Sequence, residues 1–320
     1  MAAGEPAASA LAARVREGDV RAIARAITLV EEGLPEARAL LAALFPHAGR
    51  ALVVGVTGPP GAGKSSLVDR LTAHLRKVGR TVGIVAVDPT SPFSGGAILG
   101  DRIRMQSHAT DSGVFIRSMA TRGHLGGLAA ATDDALTVLD ASGKDVILVE
   151  TVGVGQDEVE IVGTADVSLV VLVPGLGDEV QALKAGIMEI ADVFVVNKAD
   201  REGVERVVAE IESTLSLAPP EAKRPAIVKT VATRDEGVDA LLEAVLGFER
   251  RASGSGALGR KRRAQLRRRL EEAVRQRVME RVFRTVIAPG ELDATVERLA
   301  ERALDPFTAA DEIVRRMGLA

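Results

Sequence analysis

Cysteine, tryptophan and tyrosine are missing from this sequence altogether, and asparagine occurs once, at Asn197. Without cysteine there is no disulfide, no thiolate metal site and no cysteine nucleophile. Aromatic residues make up only 2% of the chain, so its core has to be assembled from Val, Leu, Ile and Ala. Charge of one sign is also scarce in net terms. The balance is −3, which argues against a general nucleic-acid or membrane-surface binder. No apolar run approaches the roughly 20 residues of a membrane span. Glu5, Arg14, Arg16, Glu17 and Asp19 interrupt the N-terminal segment where a secretory leader would carry its apolar block. The expected setting is cytoplasmic, with no membrane and no nucleic acid as partner.

What the chain does have is Gly58-Pro59-Pro60-Gly61-Ala62-Gly63-Lys64-Ser65, which reads G-x-x-x-x-G-K-S. The β-branched run Leu52–Thr57 before it suits a buried strand. After it Leu67, Leu71 and Leu75 recur four apart, as on one face of a helix. Strand, glycine-rich loop and helix in that order make a phosphate cradle, because loop N–H groups and the helix N-terminus point at the same place. Gly58, Gly61, Ala62, Gly63, Lys64, Ser65 and Ser66 are therefore candidate nucleotide ligands. Lys64 would reach the β- and γ-phosphates, and Ser65 would ligate Mg²⁺.

From 52 to 248 strand-like runs alternate with helical ones. Strands are expected at 52–57, 81–87, 114–118, 145–150, 167–173, 193–196 and 226–230. Their lack of polar alternation suits a mostly parallel α/β sheet covered on both faces. Such sheets bind ligands at the carboxyl ends of their strands, where the remaining motifs fall. Asp88, ending the second strand, and Asp101 are candidate metal ligands, the lesser alternatives being an Asp-Pro turn for Asp88 and a helix N-cap for Asp101. Arg102, Arg104 and Arg122 could each neutralise developing charge, although for any one of them a solvated or interface arginine is the favoured reading. Glu150 ends the fourth strand within Glu150-Thr151-Val152-Gly153, where it can hold the Mg²⁺ hydration shell, and the Gly153 N–H can sense a γ-phosphate. Val154 stands where a water-orienting Gln often follows that glycine, so unassisted hydrolysis is expected to be slow; Gln156 or Asp157 could substitute. The turn Pro174-Gly175-Leu176-Gly177-Asp178 leads into a charged helix, with Asp178 readable as its cap.

The sixth strand ends in Asn197-Lys198-Ala199-Asp200. A carboxylate at Asp200 can accept hydrogen bonds from guanine N1–H and its exocyclic amine, whereas adenine offers no such pair. Asn197 can bond the purine edge and tie loops together, and the Lys198 stem can pack on the ring. Backbone N–H groups of Val231, Ala232 and Thr233 follow the last strand, where they would complete base binding. GTP is the expected substrate and GDP the product. An ATP-using phosphotransferase would need a tolerance for adenine that Asp200 opposes.

Outside this core, residues 1–50 read as a helical extension, with Leu11, Val15, Ile23, Ile27 and Val30 at helical spacing, a break at Gly33-Leu34-Pro35 and a second helix over 36–44. The core itself is expected over 51–250, ended by a linker at 252–256. A C-terminal helical arm is expected over 251–320, with one helix over 260–286 and others over 291–303 and 306–317. Leu266, Leu270, Val274, Val278 and Val282 line one face of the arm, an apolar stripe that a symmetry mate would cover.

The combined motifs resemble the GTPases associated with methylmalonyl-CoA mutase, the MeaB/ArgK group. The residues that carry the likeness are 56–65, 87–92, 100–105, 150–156, Thr121-Arg122-Gly123-His124-Leu125-Gly126-Gly127 and Pro174-Gly175-x-Gly177-Asp178-Glu179. This resemblance implies a homodimer joined through the C-terminal helices, around a GTPase core. It also implies an adenosylcobalamin-dependent acyl-CoA mutase as partner, whose cofactor loading is gated and whose inactivated cofactor is expelled at the expense of GTP. On the family pattern Lys64, Ser65, Asp88, Asp101 and Glu150 serve phosphate and Mg²⁺. The segment from Asp178 to Lys184 is a nucleotide-responsive switch, and Lys184 joins Lys64, Asp101 and Glu150 as a candidate catalytic residue. Where the family usually has aromatics in the C-terminal helices, 266–281 has none. A nickel-insertion GTPase shares the architecture but generally brings His-rich or Cys-containing sites; His47, His74, His108 and His124 are scattered here.

Overall fold

A computed structural model of the chain describes residues 4–88, 108, 110–120, 127–151, 163–175, 190–217, 224–288 and 290–317. The β-branched runs form seven strands: β1 Leu52–Thr57, β2 Val82–Asp88, β3 Val114–Ala120, β4 Val146–Thr151, β5 Val167–Leu172, β6 Val193–Asn197 and β7 Ala226–Thr230. They lie in the order β3-β2-β4-β1-β5-β6-β7, and every neighbouring pair is parallel. Each strand end lies within two residues of the sequence expectation. After β1 the chain builds β2, β3 and β4 on one side of it, then β5, β6 and β7 on the other. The order thus reverses at β1, whose carboxyl end is the start of the glycine-rich loop.

Alternate side chains of the central strands go to opposite faces. Val54 and Val56 of β1, Leu148 of β4, Leu169 and Val171 of β5 and Val195 of β6 share a core with Leu67, Leu71 and Leu75 of α4 Lys64–Lys77. Leu241, Leu242 and Val245, on a helix over Val238–Gly254, complete that face. The opposite face buries Val85, Val87, Ile147 and Val149 beneath the N-terminal helices, α1 Gly4–Arg16, α2 Val20–Glu31 and α3 Pro35–Leu44, together with α5 Gly127–Ala141. On that same face of β5 and β6, Val170, Leu172, Phe194 and Val196 pack with Val204, Val207 and Ile211 of α6 Val204–Ser216. With so few aromatics the core is aliphatic, and Phe194 is its largest wholly buried side chain.

The first helical run is interrupted where the apolar spacing alone shows no break. Gly18 turns the chain with φ 79°, and Asp19 caps α2 by accepting from the N–H groups of Arg21 and Ala22. Asp140, near the end of α5, accepts from the backbone N–H groups of Gly49, Arg50 and Ala51 at 2.6, 3.1 and 3.0 Å. That carboxylate fixes the passage from the N-terminal helices into β1. On the same side of the sheet, Glu31 of α2 pairs with Arg117 of β3. At the end of α4, Arg76 holds Asp111 through two hydrogen bonds of 2.9 and 3.0 Å. This contact is the main cause of a depressed carboxyl pKa at Asp111 and a raised one at Arg76.

The chain divides into two compact units, Met1–Arg262 and Arg263–Ala320. The N-terminal helices therefore share the first unit with the sheet. The stretch expected as a linker is instead helical: α7 Val238–Gly254 runs through it, and only a short turn separates it from α8 Ala257–Arg281. Its serines and glycines do not break a helix whose buried residues extend as far as Ala252. The beginning of α8 is fastened to the sheet's amino-terminal edge. Arg262 makes a forked pair with Asp166 at 2.9 and 2.6 Å and also donates to the carbonyls of Gly49 and Ala51. Lys261 donates to the Asp166 carbonyl at 2.9 Å and the Asp192 carboxylate at 3.1 Å.

In the second unit α8 is followed by a π-helical turn over Val282–Val286, so the long helix expected to 286 is regular only to Arg281. Helix α9 Glu291–Ala300 and helix α10 Pro306–Arg316 come next, joined by Arg316 to Glu291 at 2.6 Å. No residue of α8 is buried. Leu266, Leu270, Val274 and Val278 are exposed along one side.

Candidate functional site

The glycine-rich loop leaves β1 after Thr57, and α4 begins at Lys64. Two glycines are there because nothing larger fits. At Gly58 (φ 143°) a Cβ would lie 2.2 Å from the Val171 carbonyl oxygen; at Gly63 (φ 88°) it would lie 2.5 Å from Asn197 Nδ2. Lys64 is buried and donates from Nζ to the carbonyls of Gly58 at 2.6 Å and Pro59 at 3.0 Å. A lysine so placed closes the loop on itself and keeps its ammonium at the cradle, where an anion can take over its hydrogen bonds. Ser65 occupies the first turn of α4 and is buried, whereas Ser66 beside it is exposed.

Ser65 Oγ donates to Glu150 Oε1 at 2.6 Å. Glu150 arrives from the next strand over, since β4 pairs with β1 in a register that sets Val56 against Glu150. Two buried oxygen ligands this close form a hard donor set, which fits Mg²⁺ or another oxygen-seeking cation better than a soft one. Asp88 is the last residue of β2, paired in register with Ala120. Among the described residues no group of three or more His, Cys, Asp or Glu side chains could hold a metal.

At the end of β6 the lone asparagine is a junction. Asn197 is 2% exposed; its Nδ2 donates to the Ala62 carbonyl at 2.8 Å, while Oδ1 accepts from Thr230 Oγ1 and from the Ala232 N–H, both at 3.1 Å. Three segments far apart in sequence are joined by one amide. Lys198, held at φ 55°, extends to the Gly61 carbonyl at 2.6 Å. The carbonyls of Gly58, Pro59, Gly61 and Ala62 are thus all satisfied by side-chain donors. Asp200 is partly exposed, with Arg234 Nη2 at 3.3 Å from its Oδ2.

The loop after β7 differs in detail from the sequence expectation. The Val231 N–H is bonded to the Glu236 carbonyl at 3.0 Å, and that of Ala232 to Asn197. Two of the three amides expected to meet the base are therefore engaged within the protein; Thr233 is the exposed member of the triplet. A 3₁₀ turn over Ala232–Arg234 ends at Asp235, whose φ is 59°. Asp235 Oδ1 lies 2.9 Å from Nε2 of His74, on α4. Thr230, Arg234 and the His74–Asp235 contact were not singled out by sequence. The succession Arg234-Asp235-Glu236-Gly237 is the turn signal that could have marked them.

Asp101, Gly153 and Lys184 lie outside the described residues, as do Arg102, Arg104, Arg122, Gln156, Asp157 and the segment from Asp178. What is assembled is one rim of the sheet: Lys64, Ser65 and Glu150 at one end, Asn197, Lys198 and Asp200 at the other, joined through Ala62. The first group suits a polyphosphate with a divalent cation, and the second a base that presents paired N–H donors.

Comparison with known proteins bears on this arrangement. The profile of the family described as methylmalonyl Co-A mutase-associated GTPase MeaB matches residues 23–286. A Pyrococcus abyssi protein carrying a GTPase name is 50% identical over 308 residues, covering 95% of this chain and 95% of that relative. The GTPase ArgK of Escherichia coli is 37% identical over 274 residues, 82% of this chain and 83% of its own length. Among solved structures, that of a LAO/AO transport system kinase superposes with a TM-score of 0.73 at 27% identity, covering 97% of each chain.

Proposed function

This chain belongs to the methylmalonyl-CoA mutase-associated GTPase family, and from that premise we propose that it gates adenosylcobalamin loading onto an acyl-CoA mutase such as methylmalonyl-CoA mutase and protects or reactivates that enzyme. It is a GTPase, and GTP and GDP are the nucleotides it binds. The observation that carries the site assignment is the Asn197 amide, which ties the loop holding Lys64 to the strand end holding Asp200. A single nucleotide spanning that junction would meet a phosphate reader and a guanine reader at once.

On this reading the amides of Gly61, Gly63, Lys64, Ser65 and Ser66 bind phosphate oxygens, the Ala62 N–H being bonded instead to the Pro59 carbonyl at 3.1 Å, and Lys64 exchanges its loop carbonyls for the β- and γ-phosphates. Ser65, with Asp88, Asp101 and Glu150, would hold Mg²⁺, which supplies neutralisation of charge on those phosphates. Gly153 and Lys184 would answer to the γ-phosphate, and the segment from Asp178 to Lys184 would carry that state to the mutase. Asp200 selects guanine, Asn197 orders the rim and Lys198 covers the base, with Thr233 completing the contact. Because Val154 stands where a water-orienting glutamine often does, turnover by the chain alone is slow.

The exposed stripe Leu266, Leu270, Val274 and Val278 supports the proposal of a homodimer through the C-terminal helices. The chain is read as a helical extension over 1–50, a GTPase core over 51–250 and a dimerisation arm over 251–320, working in the cytoplasm.

The test uses purified adenosylcobalamin-dependent acyl-CoA mutase from the source organism. Co-elution with the GTP-loaded or GDP-loaded chain, together with a raised GTP hydrolysis rate, is the expected result. A mutase that neither co-elutes in any nucleotide state nor alters hydrolysis would refute the partner assignment while leaving the GTPase intact.

A further inference from the structure

Resting on the guanine reading of Asp200, we infer that Arg234 is a built-in competitor for that carboxylate, so that guanine binding has to compete with it. The chemistry is one of mimicry. The edge that guanine offers a carboxylate, N1–H beside the 2-amino group, is part of a guanidine embedded in the ring. Arginine presents the same planar pair of N–H donors. A carboxylate positioned to read one is positioned to accept the other, and Arg234 Nη2 lies 3.3 Å from Asp200 Oδ2.

The surrounding loop holds the Arg234 backbone beside Asp200. The residues on both sides of Arg234 are anchored: the Ala232 N–H is bonded to Asn197 Oδ1 at 3.1 Å, and the Asp235 carboxylate lies 2.9 Å from Nε2 of His74 on α4. Val231 and Glu236 close the hairpin through reciprocal backbone hydrogen bonds. With both flanks held, the Arg234 backbone stays within reach of Asp200 and only its side chain has to swing. That side chain is 60% exposed, so release into solvent costs little desolvation or repacking. The ion pair is monodentate and partly solvated, which sets it in the weak class of surface pairs. It is a bias on nucleotide exchange and not a lock.

The consequence has a definite sign. Removing the competitor tightens guanine nucleotide binding, whereas removing an orienting partner of Asp200 would weaken it. The test is stopped-flow and equilibrium titration of GDP, with ADP as control, on the full chain as wild type, Arg234→Ala and Arg234→Lys. Arg234→Ala is expected to bind GDP about two- to five-fold more tightly, the range of an exposed ion pair, mainly through faster association. Arg234→Lys keeps the charge but lacks the planar pair of N–H donors, and is expected between the wild type and Arg234→Ala; a lysine variant as tight as Arg234→Ala would assign the competition to the guanidinium geometry alone. The gap between wild type and Arg234→Ala closes as KCl is raised from about 50 to about 500 mM, because screening weakens the pair being displaced. In an Asp200→Ala background Arg234→Ala changes nothing. GDP affinity that is equal or weaker in Arg234→Ala, in the presence of Asp200, overturns the inference. A wild type that takes GDP and ADP equally overturns the guanine reading, and this inference with it.

Discussion

Asn197 Nδ2 donates to the carbonyl of Ala62 at 2.8 Å across 135 residues of sequence, which makes the sole asparagine a brace between base-side and phosphate-side loops. Its removal leaves the Ala62 carbonyl and the Ala232 N–H, both buried, without that partner. We expect Asn197→Ala to lower stability to urea by about 3 kcal/mol, the cost of two such groups, and to weaken GDP binding along with it. Gly63→Ala would press a Cβ onto the same Nδ2 atom, so the two substitutions together should cost less than their sum. Strict additivity in the unfolding curves would show that Asn197 is no brace.

Lys64 is the only lysine bonded to the loop carbonyls of both Gly58 and Pro59 among the described residues. Lys64→Ala is expected to reduce GTP turnover at least about 100-fold, as for loss of a principal charge-stabilising donor, with an unchanged far-ultraviolet circular dichroism spectrum. Parental turnover in a folded Lys64→Ala protein would remove this lysine from the mechanism.

The exposed stripe of α8 predicts oligomeric state. Leu266→Arg combined with Leu270→Arg and Val274→Arg puts charge on three exposed apolar positions of the helix. Light scattering should report a dimer for the wild type and a monomer for the triple variant, with GTP affinity retained. A monomeric wild type at micromolar concentration would rule out the arm as a dimer interface.

Acid lability has one identifiable contributor at the end of α4. Hydrogen bonding to Arg76 holds the Asp111 carboxyl below its ordinary value of 3.8. A carboxyl depressed in the folded state stabilises the fold above its unfolded pKa, and the contribution is lost as pH falls through the folded value. Asp111→Asn should therefore cost at most about 1 kcal/mol at pH 7, since the pair is partly solvated. The difference from wild type should shrink below about pH 4, towards zero once both states are protonated. A penalty that persists unchanged in strong acid would point to packing instead of charge.

Much of this was legible in the sequence for a physical reason. Strands buried on both faces have to be apolar throughout, so Leu52–Thr57, Val167–Leu172 and Val193–Asn197 announce themselves. The phosphate loop is equally plain because Gly58 and Gly63 have no tolerated substitute at their positions. Contacts made by polar residues across long separations are another matter. Nothing local in Arg234 points to Asp200, nor in Asp140 to the amides of Gly49, Arg50 and Ala51. Helix ends at Gly18 and near Gly254 differ from the sequence expectation in opposite directions. A capping Asp19 stops one helix and starts the next, whereas burial as far as Ala252 carries α7 through a Ser/Gly run.

The central claim, that one guanine nucleotide spans from Lys64 to Asp200, is tested most directly by calorimetry of wild type and Asp200→Asn with GTP, ATP and xanthosine triphosphate. The amide turns one acceptor into a donor, so GTP binding should weaken about 10- to 100-fold while xanthosine triphosphate binding appears. The wild type should prefer GTP over ATP by a wide margin. Equal affinity of the wild type for GTP and ATP, with no change of base preference in Asp200→Asn, would contradict the account.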